Sequence, residues 1–251
     1  MPRPPGSATP LATIGTGVKR SMQETAPGFY GSYASFKGYA TPEVGPKEIR
    51  RFDADVWRPG ACAAGMAFLE IGCGTGAFLA YLAAKGVGRF VGIDHDPALA
   101  TVVPAAVRGH FACRDVWEVL DDPALGPFDR VVALDVLEHF TPEDGCRLLA
   151  AIRPRLAPGG RVVLKLPNAA SPWGLQYQFG DLTHRTAFTP SSLRQAADAA
   201  GLAATAILPQ RQGTRRRMIT DAVFHRVLSW ALLTPPPIWT ANMVAILEPR
   251  P

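Results

Sequence analysis

An apolar run that ends on an acidic residue, Phe68-Leu69-Glu70-Ile71, leads straight into Gly72-Cys73-Gly74-Thr75-Gly76. Glycines at alternate positions leave the backbone bare, so a ligand can approach main-chain groups that side chains would otherwise block. The spacing is Gly-x-Gly-x-Gly, whereas loops that hold a dinucleotide pyrophosphate read Gly-x-Gly-x-x-Gly. The loop alone is a weak signal, but its spacing suits a nucleoside ligand without a pyrophosphate. Asp94 closes the next apolar run, Val91-Gly92-Ile93-Asp94. A carboxylate there can accept hydrogen bonds from both ribose hydroxyls. It could instead cap a helix, although Asp96 is better placed for that. In Cys113-Arg114-Asp115-Val116, Asp115 is placed to meet an adenine amino group, with the Val116 backbone alongside; an ordinary surface turn is the other reading. A fourth run, from Phe128 to His139, carries Asp135, Glu138 and His139 to the carboxyl edge of a sheet, where open α/β sheets bind ligands.

Proton transfer needs a group that titrates near neutrality. His184, in Asp181-Leu182-Thr183-His184, is the first candidate for a general base and His139 the second. An imidazole of ordinary pKa, about 6.5, suits that role. Either ring could instead serve its loop, by hydrogen bonding or packing. Asp135, Glu138, His139 and His184 also make a mixed carboxylate and imidazole set of the kind that Mn, Fe, Co or Zn accepts.

These residues need a scaffold. Strands are predicted over 67–71, 90–93, 110–113, 130–134 and 162–166, alternating with helices over 77–85, 97–106, 142–156 and 191–200. Alternation of this kind implies a parallel sheet with helices on both faces. Residues 1–26 read as a flexible tail and lack the apolar core of a secretory leader. Residues 27–60, with Tyr30, Tyr33, Phe36 and Tyr39 closely spaced, read as an N-terminal helical cap. The main domain runs over 61–251. It includes a basic helix at 215–235, led by Arg211, Arg215, Arg216 and Arg217, and a last strand over 239–247.

The chain has 251 residues, 47% hydrophobic and 19% charged, which suits one sizeable α/β domain. Four scattered cysteines and no Cys-x-x-Cys pair argue against a disulfide framework or a zinc ribbon, and point to a reducing cytoplasm. A net charge of +5 permits an anionic partner without requiring one. No apolar run approaches the roughly 20 residues of a membrane span.

The four motifs, in this order and spacing over about 67–202, resemble the class I methyltransferases that use S-adenosylmethionine (SAM). The resemblance implies a seven-stranded, mostly parallel Rossmann-like sheet whose last strand is antiparallel. It also implies SAM contacts at Glu70, Gly72, Cys73, Gly74, Gly76, Asp94, His95, Asp115, Val116 and Asp135. The stretch from Leu166 to Leu193 is similar to O-methyltransferases of bacterial polysaccharide, glycolipid and natural-product assembly. It implies a hydroxyl on a sugar, glycolipid or small molecule as the acceptor. The Asp135, Glu138, His139 and His184 set is similar to that of small-RNA 2′-O-methyltransferases and some quinone-type O-methyltransferases, with Asp135 shorter than the usual first residue. That likeness keeps a metal-assisted reaction open, although a divalent metal is not expected, beside N- or C-methylation and a non-catalytic SAM-binding partner. No stable nucleic-acid partner is expected, a peripheral membrane contact by the basic helix stays open, and so does the oligomeric state.

Overall fold

The computed structural model describes residues 36–210 and 213–250. The expected tail at 1–26, Tyr30, Tyr33 and Arg211 lie outside the described residues. Seven strands form one sheet in the order β3-β2-β1-β4-β5-β7-β6. They are β1 (Ala67–Ile71), β2 (Arg89–Asp94), β3 (Phe111–Cys113), β4 (Phe128–Leu134), β5 (Leu156–Pro167), β6 (Leu202–Pro209) and β7 (Asn242–Pro249). β7 runs antiparallel to both β5 and β6, and the pairs among β1 to β5 are parallel. The expected sheet and its reversed last strand are therefore present.

Side chains along each strand alternate between two cores, because a strand turns successive residues to opposite faces. Leu69, Val131, Leu164 and Ala245 enter one core, together with Leu148, Leu149 and Ile152 of α5 (Pro142–Ile152) and Leu193 of α7 (Pro190–Ala199). Phe68, Val132, Val163 and Val244 enter the other, against Phe78 and Leu82 of α2 (Ala77–Ala84) and Phe52 of α1 (Pro46–Phe52). Burial on both faces accounts for the nearly continuous apolar strands.

The structure revises several predicted bounds. The helix expected over 97–106 is a single turn, α3 (Leu99–Val102), followed by a 3-10 segment at Ala105–His110. Pro104 is the reason: the residue before a proline is pushed to extended backbone, and Val103 has ψ 130. Pro154 acts differently: Arg153 before it stays helical, but the proline has no N–H to continue the α-helical ladder, and the end of α5 tightens into a 3-10 turn, so β5 starts at Leu156 and takes in Pro158-Gly159-Gly160. The remaining short helices are α4 (Val116–Asp121) and α6 (Leu175–Gln178), and the basic helix is α8 (Arg215–Ala231).

The described part of the expected cap, from residue 36 on, divides in two. Residues 37–40 line the main cavity, whereas α1 and a π-helical turn at Asp53–Trp57 pack on the sheet. There Phe52 meets Phe78 and Tyr81, and Trp57 stacks on Phe68. Among the described residues no helix is long and apolar enough to cross a membrane, and all four cysteines are free thiols.

Candidate functional site

The strand order reverses direction between β1 and β4, and the loops at their carboxyl ends open a crevice there. A cavity of about 570 Å³ occupies it. That volume lies within the range of roughly 300–1,000 Å³ common to small-ligand pockets. Gly72, Gly74, Asp94, His95, Asp115, Val116, Asp135 and His139 all contribute to its wall.

The glycine loop is shaped by what surrounds it. Gly72 has φ +67, and a Cβ there would lie 2.5 Å from Cγ2 of Val136, so no side chain fits. Gly74 has φ +51 and a Cβ on it would meet nothing within 4 Å, which leaves its bare backbone facing open space. Asp94 ties the loop to β2: Oδ2 accepts the N–H of Gly74 at 3.0 Å and Oδ1 that of Asp96 at 3.1 Å. A carboxylate has about four acceptor positions, so Asp94 keeps capacity for a ligand hydroxyl. Asp96 is the local cap, accepting the N–H of Ala98. Asp115 caps α4 through the N–H of Trp117 at 2.8 Å while its residue still lines the cavity.

Three residues of the expected SAM set are not in the cavity wall. Glu70 and Cys73 are buried, and Gly76 is the left-handed residue that opens α2. Burial, with Asp94 nearby, pushes the Glu70 carboxyl well above its usual range, and Oε2 has no hydrogen-bond partner among the described residues.

A second set of side chains meets at the cavity's edge. Glu138, His139 and His184 each offer a ligand atom within 4.8 Å of the others. Two backbone bonds bring them together: Arg185 and Thr186 both donate their N–H to the carbonyl of Glu138. The ring centroids of His139 and His184 are 4.6 Å apart, edge to face. His184 Nδ1 faces the carbonyl oxygen of Gln178 at 2.9 Å. A carbonyl only accepts, so Nδ1 carries the hydrogen and Nε2 the lone pair. The same logic applies to His139. Thr183 donates its hydroxyl to Oδ1 of Asp181 at 2.6 Å, so it must accept from His139 Nδ1 at 3.0 Å. In its neutral form each imidazole therefore presents Nε2 as an acceptor.

Glu138 is fully buried and neither carboxylate oxygen has a hydrogen-bond partner among the described residues. Burial, reinforced by Asp135, pushes its carboxyl well above the usual range. His139 is driven the other way, to about 4, by burial and then by His184. It is neutral at neutral pH. Burial opposes ionisation of Asp181, yet Lys37 at 2.8 Å and Thr183 outweigh it and hold that carboxyl below the usual range.

The fourth expected metal ligand does not join this group. Asp135 is ion-paired with Lys165 and sits at φ +57 just after β4, and among the described residues the cluster consists of Glu138, His139 and His184. His184, the first-ranked base by sequence, stands behind His139 and is not part of the cavity wall. Sequence reasoning missed Lys37 and Phe140 in that wall, named Tyr39 only as part of the cap, and gave Asp181 and Thr183 no role. The Asp-x-Thr-His spacing was the available signal, since Asp and Thr so close together readily hydrogen-bond locally.

A family model described as a methyltransferase domain matches residues 47–207. The magnesium-protoporphyrin O-methyltransferase of Rhodobacter capsulatus is 35% identical over 95 residues, which covers 36% of this chain and 41% of that enzyme. The match thus spans less than half the length of that relative. A SAM-dependent methyltransferase from Archaeoglobus fulgidus superposes with a TM-score of 0.61 at 18% identity, covering 88% of this chain and 99% of its own. An O-methyltransferase from neocarzinostatin biosynthesis, solved with SAM and 2-hydroxy-5-methyl naphthoic acid, gives 0.55 at 16% identity over 88% of this chain and 57% of its own. At these identities the two structures are similar in fold.

Proposed function

This chain belongs to the methyltransferase-domain family and is a class I, SAM-dependent methyltransferase; from that premise we propose that it methylates a hydroxyl of a sugar, glycolipid or small natural product, with His139 as the general base. The observation that carries this reading is the pinned tautomer of His139, a neutral ring in the cavity wall whose Nε2 bears the lone pair. The O-methyltransferase named in Rhodobacter capsulatus supports oxygen as the atom methylated.

The residues present fit SAM. Gly74 bares its backbone to the cavity, Asp94 ends β2 with acceptor capacity, and Asp115 and Val116 lie in the same wall. When bound, SAM supplies an electrophilic methyl group. The acceptor hydroxyl must then lie in line with that methyl and lose its proton as its oxygen attacks. His139 Nε2 receives the proton, and Thr183 and Asp181 keep the resulting imidazolium oriented and electrostatically matched. His184 supports the ring edge-on. Tyr39 and Phe140 give the cavity wall an apolar part for the body of the acceptor.

A second reading is favoured by one observation, the buried Glu138 whose carboxylate oxygens face two imidazole acceptors. Glu138, His139 and His184 would hold a divalent ion such as Mn, Fe, Co or Zn, with each Nδ1 held by a neighbour as metal-binding histidines require. Such an ion would supply Lewis acidity that lowers the pKa of an acceptor hydroxyl, on a phenol or a ribose for example.

The test is a methyl-transfer screen with labelled SAM against deoxysugar, glycan, phenol, amine and RNA acceptors. Turnover of a sugar, glycan or small hydroxyl compound is expected. Turnover confined to RNA, or to an amine, would refute the acceptor class.

A further inference from the structure

α8 is a long helix with little to hold it down. Of its seventeen residues only His225 is buried. Trp173 Nε1 donates to His225 Nε2 at 2.9 Å, Trp239 stacks on the same ring at 5.0 Å, and Trp239 Nε1 donates to Ser229. This seam anchors one side of the helix. On the outward side Ile219, Val223, Val227 and Trp230 follow at spacings of four, four and three, which is one stripe of a helix. Trp230 is 87% exposed.

The stripe is part of a larger patch. Twelve of the fourteen large apolar side chains exposed among the described residues belong to two segments, 173–182 and 219–233. The Trp173–His225 hydrogen bond joins them. Isolated apolar residues on a surface need no explanation, but a concentration of this kind marks a contact face. Its charge indicates what it contacts. Arg215, Arg216, Arg217 and Arg226 are all exposed on α8, and the one acidic residue of the helix, Asp221, faces His225 at 3.2 Å.

We propose that α8 and the 173–182 segment form a docking face for a bilayer surface that carries anionic headgroups. The helix lies in the plane of the interface. Its apolar stripe and the exposed Phe179 and Leu182 enter the acyl boundary, while the arginines extend to the phosphates. Tryptophan suits this depth, having an apolar body and one polar N–H. The 173–182 segment runs directly into Thr183 and His184, so the docked face adjoins the candidate site. The proposal stands whichever acceptor hydroxyl is methylated.

Co-sedimentation of the full chain with vesicles of phosphatidylcholine, alone or mixed with phosphatidylglycerol, tests it. Binding at least about tenfold stronger to the mixed vesicles is expected, and raised salt should release it. Replacing Arg215, Arg216 and Arg217 together by Gln should weaken partitioning on the order of a hundredfold. Trp230→Ser should weaken it about tenfold. Arg89→Gln, at the opposite edge of the sheet, should leave it unchanged, and unaltered thermal unfolding of each variant shows that it folds. Absence of binding to the mixed vesicles overturns the proposal, as does binding indifferent to the arginine and tryptophan changes. A dimer seen by light scattering that Trp230→Ser dissolves would also overturn it, since a second copy would then be the occupant.

Discussion

The hydroxyl of Thr183 lies 3.0 Å from Nδ1 of His139, across forty-four residues of chain, and passes its own hydrogen to Asp181. That one contact decides which nitrogen of His139 can accept a proton. On the proposed reading Thr183 is a positioning residue and His139 the group that meets the acceptor.

His139→Ala should lower kcat by about 10²- to 10⁴-fold, the usual contribution of a general base. Affinity for SAM, measured by calorimetry, should stay within a few-fold of the parent. Thr183→Val should cost about 10- to 100-fold and shift the pH profile, with Thr183→Ser restoring most of the loss. Near-normal turnover by His139→Ala would remove the imidazole from the reaction.

Chelation separates the two chemical readings. With His139 as a direct base, turnover survives EDTA treatment and is indifferent to added Mg, Mn, Co or Zn. Loss of turnover with EDTA, restored by Mn, Co or Zn and not in Glu138→Gln, would transfer activation of the hydroxyl to an ion at Glu138, His139 and His184.

The two glycines of the loop should fail differently. Gly72→Ala forces a methyl against Val136 at positive φ and should destabilise the fold by about 2 kcal/mol or more in denaturant unfolding. Gly74→Ala meets no protein atom and should cost about 1–2 kcal/mol from its backbone conformation alone. Its methyl would nonetheless occupy the space left for the ligand, so SAM affinity should fall at least about tenfold. Normal SAM binding by Gly74→Ala would exclude that loop as the nucleoside cradle.

Asp53 gives the fold an acid-sensitive contact. Burial alone would raise its pKa, but hydrogen bonds from Tyr81 at 2.6 Å and Lys85 at 3.1 Å outweigh it, and the net shift is downward. A carboxyl whose folded pKa is depressed contributes stability above its unfolded pKa, about 3.9. That contribution is lost as pH falls through the folded value. Tyr81→Phe should therefore cost about 1 kcal/mol at neutral pH, and progressively less below about pH 4. A cost that stays constant through the acid range would contradict this assignment.

The alternation of strands and helices and the glycine loop could be read from residues 67–202 because each rests on short-range chemistry, whereas the reversed direction of the last strand was implied only by the resemblance of the motifs to a family. Apolar period, turn glycines and a strand-ending carboxylate act within a few residues. The same locality explains the errors. Pro104 and Pro154 cut helices that apolar spacing alone would have continued.

Which imidazole lines the cavity was not a local matter. His139 and His184 look equivalent as letters, and only the stitching of Arg185 and Thr186 onto the Glu138 carbonyl sets one ring in the cavity wall and the other behind it. Lys165 likewise claims Asp135, which the order of residues had grouped with the imidazoles. By itself the sequence determined the family, the sheet and the glycine loop at the carboxyl end of β1. The tertiary structure decided the tautomers, the burial of Glu138 and the exposure of the α8 stripe. These depend on desolvation and on contacts between segments far apart in the chain, and such contacts leave no periodic trace in the order of residues.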